Sequence, residues 1–169
     1  MTRAIAFVAG VLLAAGVAGC GLAGGGDDSG PGGDPGGSNH PEFSPLYSQY
    51  FNRCRSCHSP DGPMRPVGQP IESTLDFTTV DTAWSTIRSG EATGLQGSNA
   101  EACNGVPFVA GTYAGSLIAA VVDPDVRGSF STGSGCDGDA VGDMTLKVGA
   151  TPSDAFLNGL KTWIENGAP

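Results

Sequence analysis

Residues 54–58 of the chain read Cys-Arg-Ser-Cys-His, so that two thiols stand three positions apart and an imidazole follows the second thiol directly. Residues 43–52 before this motif carry aromatic and leucine side chains on one helical face, which predicts a helix. Residues 59–63 after it read Ser-Pro-Asp-Gly-Pro, which is typical of a turn. We therefore expect Cys54, Cys57 and His58 to lie together where a helix passes into a turn.

The spacing of these three residues is that of covalent haem attachment. Cys54 and Cys57 can reach the two vinyl groups on one porphyrin edge and form thioethers, and His58 then faces the iron as its proximal ligand. Three other interpretations are a structural disulfide, a thioredoxin-type redox pair and half of a zinc site. The chain has no second close cysteine pair for zinc and no βαβ context for a thioredoxin fold. The motif therefore predicts one covalent haem c.

The second iron ligand is predicted by elimination among His40, Met64 and Met144, since electron-transfer cytochromes use His/Met or bis-His ligation. The chain between His58 and Met64 is too short to pass easily around the haem edge to the opposite face. His40 lies at the end of a glycine-rich stretch. Met144 lies in a segment predicted to be irregular, ahead of the last helix. We predict Met144 as the distal ligand. The alternatives are an iron with no second protein ligand and an iron bound by His40. If Met144 is not a ligand, it is expected to fill a gap in the core.

The first 40 residues predict export and a lipid anchor. Residues 1–19 combine a positive charge with an apolar run of signal-peptide length, and residues 17–20, Val-Ala-Gly-Cys, resemble the lipobox of bacterial lipoproteins. Cys20 is then the lipidated residue, and residues 20–40 form a flexible glycine-rich tether. The alternative is an ordinary signal peptide or a short anchor in which Cys20 happens to sit. We expect a location in the cell envelope facing the periplasm or exterior, with Gly21 favouring the outer membrane.

Residues 41–169 are expected to form one all-α domain of about four short helices around one haem, joined by long irregular Gly/Ser-rich loops. Besides the helix at 43–52, the predicted helices cover residues 81–89, residues 116–122 and a last helix that starts at Thr151-Pro152 and ends before Gly167. Thr151 is the expected N-cap and Pro152 the first helical residue.

Cys103 and Cys136 are the two cysteines left after lipidation and haem attachment, and in an oxidising compartment they predict a disulfide. Asp137, Asp139 and Asp143 form an acidic cluster nearby. The cluster does not match the twelve-residue calcium loop, and we interpret it as a solvated loop.

The net charge of the chain is -9, from 17 acidic and 8 basic side chains. This balance excludes a typical nucleic-acid-binding protein, which needs a basic surface. It favours instead a protein partner with a basic docking patch.

Residues 44–169 resemble a class I cytochrome c domain of the single-haem lipoprotein type. The resemblance is carried by the motif at 54–58, by Ser116-Leu117 and Asp123-Pro124 in the middle of the chain, and by the final Trp-Ile-Glu-Asn-Gly-Ala of residues 163–168. Family members commonly have Pro after the axial Met, whereas Thr145 follows here.

The resemblance implies an electron carrier rather than a catalyst. Two further functions stay open at this point. One is a haem enzyme in which an open iron handles peroxide or another small ligand, and the other is an envelope interaction module with a structural haem.

Overall fold

The computed structural model describes residues 38–63, 75–95 and 99–169. Outside the described residues lie the predicted signal peptide at 1–19, the predicted lipidation site Cys20, most of the predicted tether, and Met64. Within the described ranges, no helix has both the length and the apolar character needed to cross a membrane.

The described part of the chain is all-α, as predicted. Its only β-type pairings are two isolated bridges, Glu91 with Pro107 and Ser131 with Asp137. The α-helices, in chain order, are α1 (Ser44–Gln49), α2 (Val80–Ser89), α3 (Leu117–Val122), α4 (Pro124–Arg127), α5 (Gly138–Val141), α6 (Met144–Val148) and α7 (Asp154–Glu165), with 3-10 helices at Phe51–Ser56 and Ala100–Cys103.

The single helix predicted for residues 43–52 is wrong at its C-terminal end. The α-helix stops at Gln49, Tyr50 takes a non-helical φ of -144°, and a tighter 3-10 helix then continues to Ser56. This break allows Tyr50 and Phe51, neighbours in sequence, both to be buried. As a result the first three motif residues belong to the 3-10 helix rather than to the turn that follows.

The predictions for the second, third and last helices are confirmed, with one correction at the start of α7. Its N-cap is Ser153 rather than Thr151, because the Ser153 hydroxyl accepts a hydrogen bond from the Phe156 N–H at 3.2 Å. Pro152 therefore precedes the helix. At the other end Gly167 has a φ of +86°, a conformation that favours glycine and ends the helix as expected.

The expectation of about four helices is too low, because α4, α5 and α6 occupy a region predicted to be irregular. Each of these short helices begins at an aspartate whose carboxylate accepts backbone N–H groups, namely Asp123, Asp137 and Asp143. Two members of the acidic cluster are therefore helix caps rather than parts of a solvated loop.

An aromatic core holds the 3-10 helix of the motif against the rest of the domain. The Phe51 ring centroid lies 5.7 Å from that of Phe43, 5.5 Å from Phe77 and 5.2 Å from Phe156. All four side chains are buried, and each such burial contributes about 1.5–3 kcal/mol. Because Phe51 precedes Cys54 by less than one helical turn, the core fixes the position of the motif.

The predicted disulfide between Cys103 and Cys136 is confirmed. Their Cα atoms are 4.7 Å apart, and both side chains are buried. The bond joins the end of the second 3-10 helix to the residues just before α5, across two connections that contain several glycines.

Candidate functional site

The structure brings the three residues of the predicted attachment motif onto one turn. The Cys54 carbonyl accepts hydrogen bonds from the N–H groups of Cys57 at 3.2 Å and His58 at 2.8 Å. Cys57 is exposed, whereas Cys54 and His58 are half-buried. Two thiols and one imidazole are therefore presented together at the surface of the domain.

The turn that follows the motif is held by two residues that the sequence interpretation did not single out. Ser59 is buried, and its hydroxyl donates to the Arg55 carbonyl at 2.8 Å. Gly62 packs so closely that an added Cβ would lie 2.5 Å from the Ser56 carbonyl oxygen. The glycine inside a Pro-Asp-Gly-Pro turn was the available signal for this close approach.

Contacts with Phe77 orient His58 from the core side. The Phe77 N–H donates to the His58 carbonyl at 2.7 Å, and the two rings meet edge-on with centroids 5.8 Å apart. The Nδ1 atom of His58 is shielded from solvent although the residue as a whole is half-buried. Phe77 in turn packs on Phe51, so the imidazole is backed by the aromatic core.

The environment of Cys54 does not suit a nucleophilic thiol. Burial, followed by the effect of the Cys57 charge, raises the pKa of Cys54 to about 12. Thiol–disulfide exchange needs a thiolate, which redox-active cysteines obtain through a lowered pKa. Cys54 and Cys57 are also not joined to each other in a disulfide. The motif thus offers two thiols that are not joined to each other, next to an imidazole.

A protein-only zinc site was the other alternative for the motif. Across residues 38–63, 75–95 and 99–169, no three side chains among His, Cys, Asp and Glu converge as metal ligands. Structural zinc sites take four ligands from the protein.

Tyr50 connects the motif to the segment that carries Met144. Its hydroxyl donates to the Ala150 carbonyl at 3.1 Å, just after α6. Burial first, then the charge of Cys54 and more weakly that of Asp143, raise the pKa of Tyr50 to about 12 against the lowering effect of Arg53. The hydrogen bond to Ala150 therefore links the residue just before the 3-10 helix of the motif to the chain just after α6.

Helix α6 is an apolar segment that the rest of the domain leaves uncovered. None of its five residues is buried, although the sequence is Met-Thr-Leu-Lys-Val. Met144 and Val148 are half-buried, and Leu146 is 79% exposed, the most exposed large hydrophobic side chain among the described residues. The domain therefore offers both a turn with two thiols and an imidazole and a separate uncovered apolar strip, which are the features that a large, flat, apolar group attached through thioethers requires. The residues present therefore fit a covalently held haem.

His40, the alternative second ligand, is engaged elsewhere. Its ring stacks on Trp84 with centroids 3.7 Å apart, and its Nε2 atom lies 3.6 Å from a carboxylate oxygen of Asp81. Its carbonyl also accepts hydrogen bonds from the N–H groups of Phe43 and Ser44. His40 is thus packed against α2.

Two surface grooves lie apart from the motif. One, of about 430 Å³, runs along α7 beside Trp163, and the other, of about 350 Å³, lies between α4 and α5. Neither is lined by residues 54–58. The fit to haem therefore depends on the exposed motif and on the uncovered face of α6.

Comparison of the chain with protein-family models, with curated proteins and with solved structures finds no match.

Proposed function

We propose that this chain is a single-haem c-type cytochrome, with a class I cytochrome c-like fold, that carries electrons in the cell envelope. The observation that carries the proposal is the placement of Cys54, Cys57 and His58 on one turn, in a domain that also leaves the apolar side chains of α6 uncovered. This placement combines covalent attachment points, an iron ligand and an apolar contact surface.

The two thiols are the proposed attachment points. In each attachment a Cys54 or Cys57 Sγ–H adds across one vinyl C=C bond, so that a C–S bond and a C–H bond form and no group leaves. His58 is the proposed proximal ligand and Met144 the proposed second ligand. Bound there, haem supplies a one-electron Fe(III)/Fe(II) couple. A thioether ligand favours the reduced state and raises the potential.

The chain itself supplies orientation and exclusion of water. The backbone contact with Phe77 holds the His58 imidazole, and the aromatic core behind it keeps solvent from that side. A full ligand set from His58 and Met144 leaves no position for a substrate. Outer-sphere transfer of one electron through an exposed edge is then the simplest function.

The proposed anchor and partner follow from charge and from the N-terminal sequence. Lipidation of Cys20 would attach the domain to a membrane of the cell envelope through the tether. The excess of acidic side chains favours a redox partner with a basic docking patch. Arg53 and Arg55 are both exposed next to Cys54, so the charge at the motif itself is positive. We therefore expect the basic patch of the partner to contact acidic side chains elsewhere on the domain rather than the residues next to Cys54.

The experiment that tests this function is optical spectroscopy of the protein purified from a host that attaches haem c. We expect reversible reduction and oxidation, the long-wavelength band of a methionine–iron bond in the oxidised state, and little binding of carbon monoxide to the reduced state. The matched variant is Met144→Ala, which should lose the band and bind carbon monoxide. A chain that carries no haem would refute the proposal.

A small-ligand haem site is the second candidate, and one observation favours it. Because α6 buries none of its side chains, the bond between Met144 and the iron is the element most easily opened. Strong binding of carbon monoxide by the unmodified reduced protein would favour this candidate over an electron carrier.

A further inference from the structure

The segment that carries Met144 has little apolar packing to fix it. Gly142 and Gly149, at its two ends, have φ values of +70° and +66°, and none of the five residues of α6 is buried. Because glycine adopts positive φ without steric cost, the backbone can rotate at both ends of α6. The position of Met144 must therefore be set by polar contacts at the start of the helix.

Asp143 supplies those contacts. One carboxylate oxygen, Oδ1, accepts hydrogen bonds from the Thr145 N–H at 2.9 Å and the Leu146 N–H at 3.4 Å, which caps α6. The other oxygen, Oδ2, accepts from an Arg127 guanidinium nitrogen at 2.6 Å. Asp143, which directly precedes Met144, thus links the first turn of α6 to the Arg127 guanidinium on α4.

Arg127 is itself held from two further sides. Its second terminal nitrogen lies 3.4 Å from the Ala120 carbonyl and 3.5 Å from the Val121 carbonyl, in α3. On α5, a Cβ added to Gly138 would lie 3.1 Å from the Arg127 Cγ atom. The Arg127 side chain is only 14% exposed. The guanidinium is therefore held at the end of α3, and the stem of the side chain lies close to α5.

We propose that the Arg127–Asp143 ion pair positions Met144 as the second iron ligand by anchoring the start of α6 to α4 and, through the carbonyl contacts of Arg127, to α3. The inference rests on the proposed function. Arg127 is a positioning residue that acts through Asp143. Its planar fork contacts backbone carbonyls with one nitrogen and the carboxylate with the other, which the single ammonium of a lysine cannot reproduce.

The test uses the haem-loaded protein and three variants. Arg127→Gln removes the charge and Arg127→Lys keeps the charge without the fork. The matched control is Arg88→Gln, because Arg88 also donates to a backbone carbonyl, that of Ala168 at 2.9 Å, on a different part of the surface. The readouts are the methionine–iron band, the reduction potential, carbon monoxide binding and the exchange rate of the Thr145 and Leu146 amide protons.

We expect Arg127→Gln to lose most of the methionine–iron band, to lower the potential and to bind carbon monoxide at least about tenfold more tightly, since a charge-assisted hydrogen bond is lost. The two amides should exchange about tenfold faster, which a change at the iron alone would not produce. Arg127→Lys should recover part of the band, and Arg88→Gln should behave like the unmodified protein.

The outcomes separate the inference from the proposed function. If the unmodified protein shows the band and Arg127→Gln keeps it in full, the positioning role is refuted while the cytochrome assignment stands. If haem is bound but the unmodified protein lacks the band, Met144 is not the ligand and the inference fails with it. If no haem is attached, the proposed function itself is refuted.

Discussion

Removal of the Cys103–Cys136 disulfide is expected to cost a large part of the stability of the domain. The bond joins residues separated by 33 positions. In the chain-entropy description, a closed loop of this size contributes about 3.7 kcal/mol at 25 °C. Single domains are stable by only about 5–15 kcal/mol in total, so the loss would be visible in any unfolding experiment.

The assay is urea denaturation of the unmodified protein and of the Cys103→Ala/Cys136→Ala variant. A loss of that size should lower the urea midpoint by about 2 M. Because both cysteines are buried, the variant also removes packed sulfur atoms. The control is therefore the unmodified chain reduced and alkylated only after unfolding, which keeps both sulfurs. A loss below about 1 kcal/mol in both samples would refute the idea that the bond organises these loops.

Four further predictions address the turn, the caps and the surface. Gly62→Ala should lower the free energy of unfolding by about 1–3 kcal/mol and reduce haem loading, because the added Cβ would lie 2.5 Å from the Ser56 carbonyl oxygen. Gly128→Ala is the control: its added Cβ would lie 3.6 Å from the nearest atom, so urea unfolding should change little. Tyr50→Phe should cost about 1 kcal/mol in urea unfolding through its lost hydrogen bond, and an unchanged midpoint would contradict this. Asp143→Asn should lose less stability than the unmodified protein when the pH is lowered into the acid range, as measured by thermal unfolding. The stabilisation from the Asp143 carboxylate is complete above its ordinary pKa of 3.8 and is lost as the pH falls below that value. Electron transfer to a basic redox partner, followed by stopped flow, should slow as salt is raised, and a rate independent of salt would refute the docking proposal.

The sign of the Asp143 prediction follows from its contacts. Burial raises the pKa of Asp143, but the hydrogen bond from Thr145 and the charge of Arg127 outweigh burial and leave the pKa below its ordinary value. The folded protein therefore favours the charged carboxylate, and protonation of Asp143 weakens the fold.

The parts of the fold that could be predicted are those with strong local signals. Helix α7 has apolar residues at helical spacing and a clear stop at Gly167, and the pairing of Cys103 with Cys136 followed from cysteine count and compartment. The juxtaposition of Cys54, Cys57 and His58 was predictable because all three lie within one turn of chain.

The parts that could not be predicted depend on contacts between distant residues. Asp143 looked like a member of an acidic cluster, because its pairing with Arg127 requires knowledge of where α4 lies. Its cap of α6 is a local contact, but the short helix that it caps has no strong pattern in the sequence. The helix break at Tyr50 likewise depends on the tertiary position of Ala150, to which its hydroxyl donates. Burial of Tyr50 and Phe51 outweighed the helical pattern that the sequence continues through residue 52.

The most direct test of the account is tryptic digestion of the purified protein followed by mass spectrometry. Trypsin cuts after Arg53 and Arg55, and proline at position 66 protects the bond after Arg65, so that the two motif cysteines fall on separate peptides, residues 54–55 and residues 56–88. We predict that one haem joins these two peptides through thioethers that survive reduction. Two separate peptides, each with a cysteine that can be alkylated after reduction, would contradict the central claim.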